Sequence, residues 1–154
     1  MSLPATRMAD RTGNKYTSHK NRKKMKARQS SIYRNMELLL KVLLLRFQKV
    51  PKPLCYQSVA QKGINDLMNA MDAVTLALQT KDRLERTQIL CMTVVSMTSV
   101  KTVLRVMHDI SAEPGTPVVL SNRQYAEVLR YLDQIAEEMG RWISKSRTTE
   151  EERP

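Results

Sequence analysis

From Ile32 onward, apolar residues recur at intervals of three and four, the period of a helix with one buried face. Ile32, Met36, Leu39, Leu40, Leu43 and Phe47 trace the core stripe of a first helix, and "VPKP" at 50–53 ends it. A second helix is predicted over about 58–80. Val59, Ile64, Leu67, Met68, Met71, Val74 and Leu78 lie on one half of it, and Lys62, Asn65, Asn69 and Asp72 on the other. Asp82 followed by Glu85 has the spacing of a capping pair and opens a third helix that continues to about Ile110. "EPGTP" at 113–117 reads as a loop. Ser121 with Gln124 repeats the capping pattern and opens a fourth helix, "NRQYAEVLRYLDQIAEEMGRWISKSR".

The one β-like fragment, "TPVVL", is too short to stand alone. Four helices of about 30 to 40 Å, joined by short turns, predict an all-α, antiparallel up-and-down four-helix bundle over residues 31–147. Residues 1–30 have little apolar content and no period, so they read as a disordered basic tail, with 148–154 as a disordered C-terminal tail.

Three of these helices carry more than a core stripe. On the first, Leu38, Val42 and Leu45 form a second apolar stripe, leaving a narrow polar strip at Arg34, Glu37, Lys41 and Gln48. On the third, Leu90, Val94 and Met97 occupy the side that becomes Lys101, Arg105 and His108 one turn later. One four-helix core has no place for both surplus stripes, and large exposed apolar patches mark interfaces, so these six residues predict a homo-oligomer contact. On the fourth, Tyr125, Val128, Leu129, Leu132, Ile135, Met139, Trp142 and Ile143 form the apolar arc. Arg123, Arg130 and Arg141 stack opposite it with Glu127, Gln134 and Glu137 between them.

Charge changes the picture. Of 154 residues, 26 are Lys or Arg and 15 are Asp or Glu, a formal +11. Residues 1–31 hold nine of the bases and only Asp10, a local +8 that leaves +3 for everything else. Six of them, Lys20, Arg22, Lys23, Lys24, Lys26 and Arg28, fall within "SHKNRKKMKARQSS". Charge collected in this way is the footprint of a polyanionic partner. The tail cations, with Lys101, Arg105, Arg123, Arg130 and Arg141, are the candidate nucleic-acid contacts. They suit phosphates rather than bases.

Chemistry finds little foothold. His19 lies in the tail and His108 stands alone near a helix end; no His or Cys pair has metal-ligand spacing, and four glycines form no phosphate-cradling loop. Asp66 and Asp72 do not share a helix face, and the ten methionines suit soft core packing. No catalytic residue, metal or cofactor is expected. Cys55 and Cys91 read as reduced core thiols. The apolar run Leu38–Phe47, broken by Lys41 and Arg46, is about half the length of a membrane span, and no secretory signal is recognised, so a cytoplasmic location away from membranes is expected.

The four long helices, the Pro-broken turn after the first and "QYAEVLRYLDQIAEEMGRWI" resemble a known four-helix-bundle family. It comprises the accessory variability proteins of diversity-generating retroelements and the proteins encoded in ribosomal RNA intervening sequences. The likeness covers about residues 32–146 and centres on Met139, Gly140, Arg141, Trp142 and Ile143. The chain lacks the second glycine that many members carry before the tryptophan, and the tail lies outside the likeness. The resemblance implies a ring-like homopentamer that binds a reverse transcriptase and its template RNA and supports mutagenic cDNA synthesis. Two other readings of the residues stay open: a DNA-binding structural or relaxosome accessory protein, and a protein–protein adaptor.

Overall fold

The computed structural model describes the backbone of residues 19–151, and the side chains of 31–53 and 55–147. Its elements are four helices, α1 (His19–Phe47), α2 (Leu54–Gln79), α3 (Arg83–Ser111) and α4 (Asn122–Glu151), and no strand occurs among the described residues. Consecutive helices pack side by side and α1 closes onto α4, so α1 and α3 lie across one diagonal and α2 and α4 across the other. This is the antiparallel four-helix bundle expected.

Polar contacts fix the register at each seam. Asn35 donates to Glu138 Oε1 at 3.3 Å, and Arg46 lies 3.6 Å from Glu127, which sets α1 antiparallel to α4. Ser99 Oγ donates to Asp66 Oδ2 at 2.6 Å between α3 and α2, where Lys62 also donates at 3.0 Å. Partial burial opposes ionisation of Asp66, but these two donors outweigh it and hold its carboxyl below the ordinary value. Between α3 and α4, His108 stacks on Tyr125 with ring centroids 4.2 Å apart and its Nε2 is 2.7 Å from Asn122 Oδ1. The histidine read as solitary thus brackets two helices.

Several boundaries differ from the pattern. Helix α1 begins at His19 rather than near Ile32, so residues 19–30, expected to be a disordered tail, have helical backbone. Lys, Arg, Met, Ala and Gln extend a helix well, no Gly or Pro interrupts 19–47, and the packed turns downstream supply the nucleus. The expected tail at 1–18 lies outside the described residues, as does 152–154; α4 runs on to Glu151. Helix α2 starts directly after Pro53, at Leu54. At the start of α4, Ser121 N donates to Gln124 Oε1 at 3.0 Å and Gln124 N to Ser121 Oγ at 3.2 Å, the reciprocal capping expected. Asp82 is the N-cap of α3 but makes no side-chain cap bond.

The core runs along the bundle axis through Met36, Leu39, Leu43, Leu67, Val74, Leu90, Leu104, Ile135 and Met139. The 112–121 connection contributes to it. Ser111 Oγ donates to Met107 O and accepts from Val119 N at 2.9 Å and Leu120 N at 3.0 Å, which tucks both of those apolar side chains under the helices. Val59 and Met68, assigned to the core by period, are exposed, because the buried arc of α2 is centred on Leu67, Ala70 and Val74 and they fall at its edges. Cys55 is exposed on the first turn of α2 and Cys91 is half-buried; both are free thiols. Helix α3 is long and apolar enough to cross a membrane by length and composition alone. In the bundle it packs between α2 and α4.

Two glycines carry opposite expectations. A Cβ built on Gly63 would meet Val103 Cγ1 at 2.9 Å, so α2 and α3 approach closely only because that atom is missing. At Gly140 the same Cβ meets nothing within 4 Å. Among the described residues, no close helix approach depends on the missing side chain at Gly140. Gly63→Ala gains about 1 kcal/mol of helix propensity and loses about 1 to 3 kcal/mol to overpacking, so a lowered thermal midpoint is expected. Gly140→Ala gains the propensity term alone and should raise the midpoint. Midpoints moving in the same direction for both would contradict this packing.

Candidate nucleic-acid interface

The basic segment acquires a position from the α1–α4 register. Ser31 and Ile32 share a groove with Glu138, Arg141, Trp142 and Lys145. From there α1 continues to His19, in the direction in which α4 runs to its end at Glu151. Arg147 Nη2 reaches Cys91 Sγ at 3.9 Å, which places the start of α3, and with it the 80–82 turn, at this same end. Lys81, Arg83, Arg86, Lys145 and Arg147 therefore collect near the α1 segment that carries six cations and no acid. Asp82, Glu85, Glu137, Glu138, Glu150 and Glu151 offset the bundle's own share, so the excess at this pole comes from Lys20, Arg22, Lys23, Lys24, Lys26 and Arg28. Those six lie on helical backbone, and their side chains fall outside the described part.

The bundle cations named from the sequence do not form one surface. Lys101 and Arg105 are exposed on the side of α3 that faces α4. Arg123, Arg130 and Arg141 are exposed on the flank of α4 that holds Glu127 and Glu138, the residues that contact α1. Helix α4 itself separates the two groups. Arg141 lies 3.7 Å from Glu137, an exposed pair of the kind that contributes little stability. Lys145 belongs with Arg141, four residues on and lining the same groove, and that spacing was the signal for it.

The predicted oligomer contact is partly redrawn. Leu45 is 56% exposed, Leu38 is also exposed, and Val42 is half-buried, so the α1 stripe faces outward. Leu90 is fully buried and belongs to the core; with Val94 and Met97 it lies on the side of α3 that turns towards α4. Val94 and Met97 instead line an apolar groove of about 310 Å³ against Leu132, Ala136 and Gly140. The exposed apolar residues of α3 are Leu84, Met92, Val94, Val95 and Val106, with Met92 and Val95 the most exposed at 69% and 70%. No charge occurs in α3 from Thr87 to Val100. The stripes of α1 and α3 sit on opposed corners of the bundle, so both can be covered by one contact only if α1 of one copy meets α3 of the next, a head-to-tail arrangement.

Among the described residues no group of three His, Cys, Asp or Glu side chains is placed to hold a metal ion. No family model, no curated protein and no solved structure matches the chain.

Proposed function

We propose that this chain is a non-catalytic, basic, oligomeric accessory protein that binds the phosphate backbone of nucleic acid, RNA in the first place, at the pole where α1 begins and α4 ends. The observation that carries the reading is the helical run of six cations without an acid in the first turns of α1, at the pole where α4 ends. In line with the family it resembles, the proposed partners are a retroelement reverse transcriptase and its template RNA, and the proposed assembly is a cytoplasmic ring of five copies. Such a protein positions a template for an enzyme and needs no catalytic side chain of its own. The uncharged outward strip of α3 and the leucines of α1 supply the surfaces for assembly.

Gel shifts with RNA, single-stranded DNA and duplex DNA of equal length, combined with light scattering, test the proposal. RNA bound at least as tightly as either DNA, by an oligomer, is the expected result. Preference for the duplex would favour a DNA-architectural role, and no binding to any of the three at moderate salt would favour an adaptor. Leu38→Glu with Leu45→Glu should dissociate the assembly and leave the helical signal intact, because both residues face solvent within one chain. A wild-type chain that scatters as a monomer at tens of micromolar would overturn the oligomer.

A further inference from the structure

We infer that the apolar groove between α3 and α4 is the seat for α1 of a second copy of this chain, with Leu38 and Leu45 as the side chains that enter it. This rests on the oligomeric reading above and names the two surfaces that meet. The groove measures about 310 Å³ and runs along α4 past Leu132, Ala136 and Gly140, with Val94 and Met97 of α3 as its other wall. Leu132, Ala136 and Gly140 follow one another at intervals of four, so this wall is about two turns long. A Cβ on Gly140 would meet nothing within 4 Å, and glycine weakens the interior of a helix. A glycine whose gap its own bundle does not fill leaves the backbone of α4 open to a side chain from outside the chain.

The stripe on α1 has the matching length. Leu38 and Leu45 stand two turns apart, 36% and 56% exposed, with Val42 half-buried between them. Charges at the rims suit the same pairing. Glu37 and Lys41 stand beside the leucines on α1, and Lys101 and Asp133 stand at the end of the groove; all four are exposed. None of the four forms an ion pair or a side-chain hydrogen bond among the described residues. Each surface therefore offers one acid and one base, and a helix that crosses the groove at an angle sets Lys41 against Asp133 and Glu37 against Lys101. A partner of another kind would cover the groove and leave the α1 stripe exposed, whereas a second copy covers both kinds of surface with one contact. Because stripe and groove differ, the contact is head-to-tail, and each copy offers one of each until a ring closes.

Complementation between two variants of the full chain, read by light scattering, is the test. Gly140→Phe fills the groove without crowding its own bundle, and Ala136→Glu, at an exposed position, blocks it in another way. Each is expected to scatter with the mass of one chain and to keep the wild-type far-UV circular dichroism, as is Leu38→Glu with Leu45→Glu. Gly140→Phe still has its stripe, and the Leu38→Glu, Leu45→Glu variant still has its groove. Mixed in equal amounts, these two are expected to form a particle of two chains and nothing larger, because one intact stripe meets one intact groove. Wild-type mass for Gly140→Phe and Ala136→Glu, or a mixture that stays monomeric, would overturn the seat and leave the oligomer to another surface. A wild-type chain that scatters as a monomer would overturn the oligomeric reading and the seat with it.

Discussion

Replacing Lys20, Arg22, Lys23, Lys24, Lys26 and Arg28 with glutamine is expected to weaken RNA binding about 10²-fold or more at low salt, with helical content and oligomer size unchanged. Glutamine propagates a helix nearly as well as lysine, so the α1 extension keeps its conformation while losing its charge. If about four of the six cations neutralise phosphates, each contributes about −0.7 to the slope of log affinity against log salt on single strands, so the slope should flatten by about 3. The two proteins should therefore differ most in dilute salt and converge as salt rises. Several copies of the segment on one assembly act at high effective concentration, which can multiply the difference to about 10²- to 10⁴-fold. Filter binding over a series of salt concentrations checks this. Identical slopes would place the phosphate contacts elsewhere on the bundle.

Trp142→Ala is expected to cost about 3 to 5 kcal/mol, as buried large aromatics do on truncation. The ring is 7% exposed and lies on the core arc with Ile135 and Met139. Against a typical total of about 5 to 15 kcal/mol for a domain, this loss would bring the chain close to unfolding at ambient temperature. Urea denaturation followed by far-UV circular dichroism measures it. RNA affinity that collapses while the urea midpoint stays put would make Trp142 a ligand contact rather than an anchor.

The bundle was legible because its core stripes keep the helical period over about four turns or more, a signal that single exceptions such as Val59 and Met68 do not erase. Boundaries were less legible where burial was the guide. A helix that carries only cations has no apolar stripe to announce it, so the start of α1 at His19 escaped a reading based on period. Leu90 shows a different limit. A wheel shows that Leu90, Val94 and Met97 share a side, but not that α4 covers that side, so a core leucine was read as an interface residue. Arg123 and Lys101 were grouped by charge for the same reason, although α4 stands between their surfaces. The basic pole depends on which helix ends meet, and that is set by the order in which the helices close the square. Asn35 with Glu138 shows it; the spacing along the chain does not.

The uncharged length of α3 has a cost when the chain is not folded. "TQILCMTVVSMTSV", residues 87–100, combines β-branched and apolar residues with no proline and no charge, the composition of segments that stack into cross-β aggregates. In the bundle the run is held as helix, and Thr87, Thr93 and Thr98 return their hydroxyls to carbonyls four residues back, so little of its hydrogen-bonding capacity is left to recruit a neighbour. Arg83 and Arg86 before it and Lys101 and Arg105 after it stand as gatekeepers at its two ends. A chain denatured at high concentration therefore refolds in competition with association through this one stretch, and neutralising its flanking cations would tilt that competition towards the aggregate.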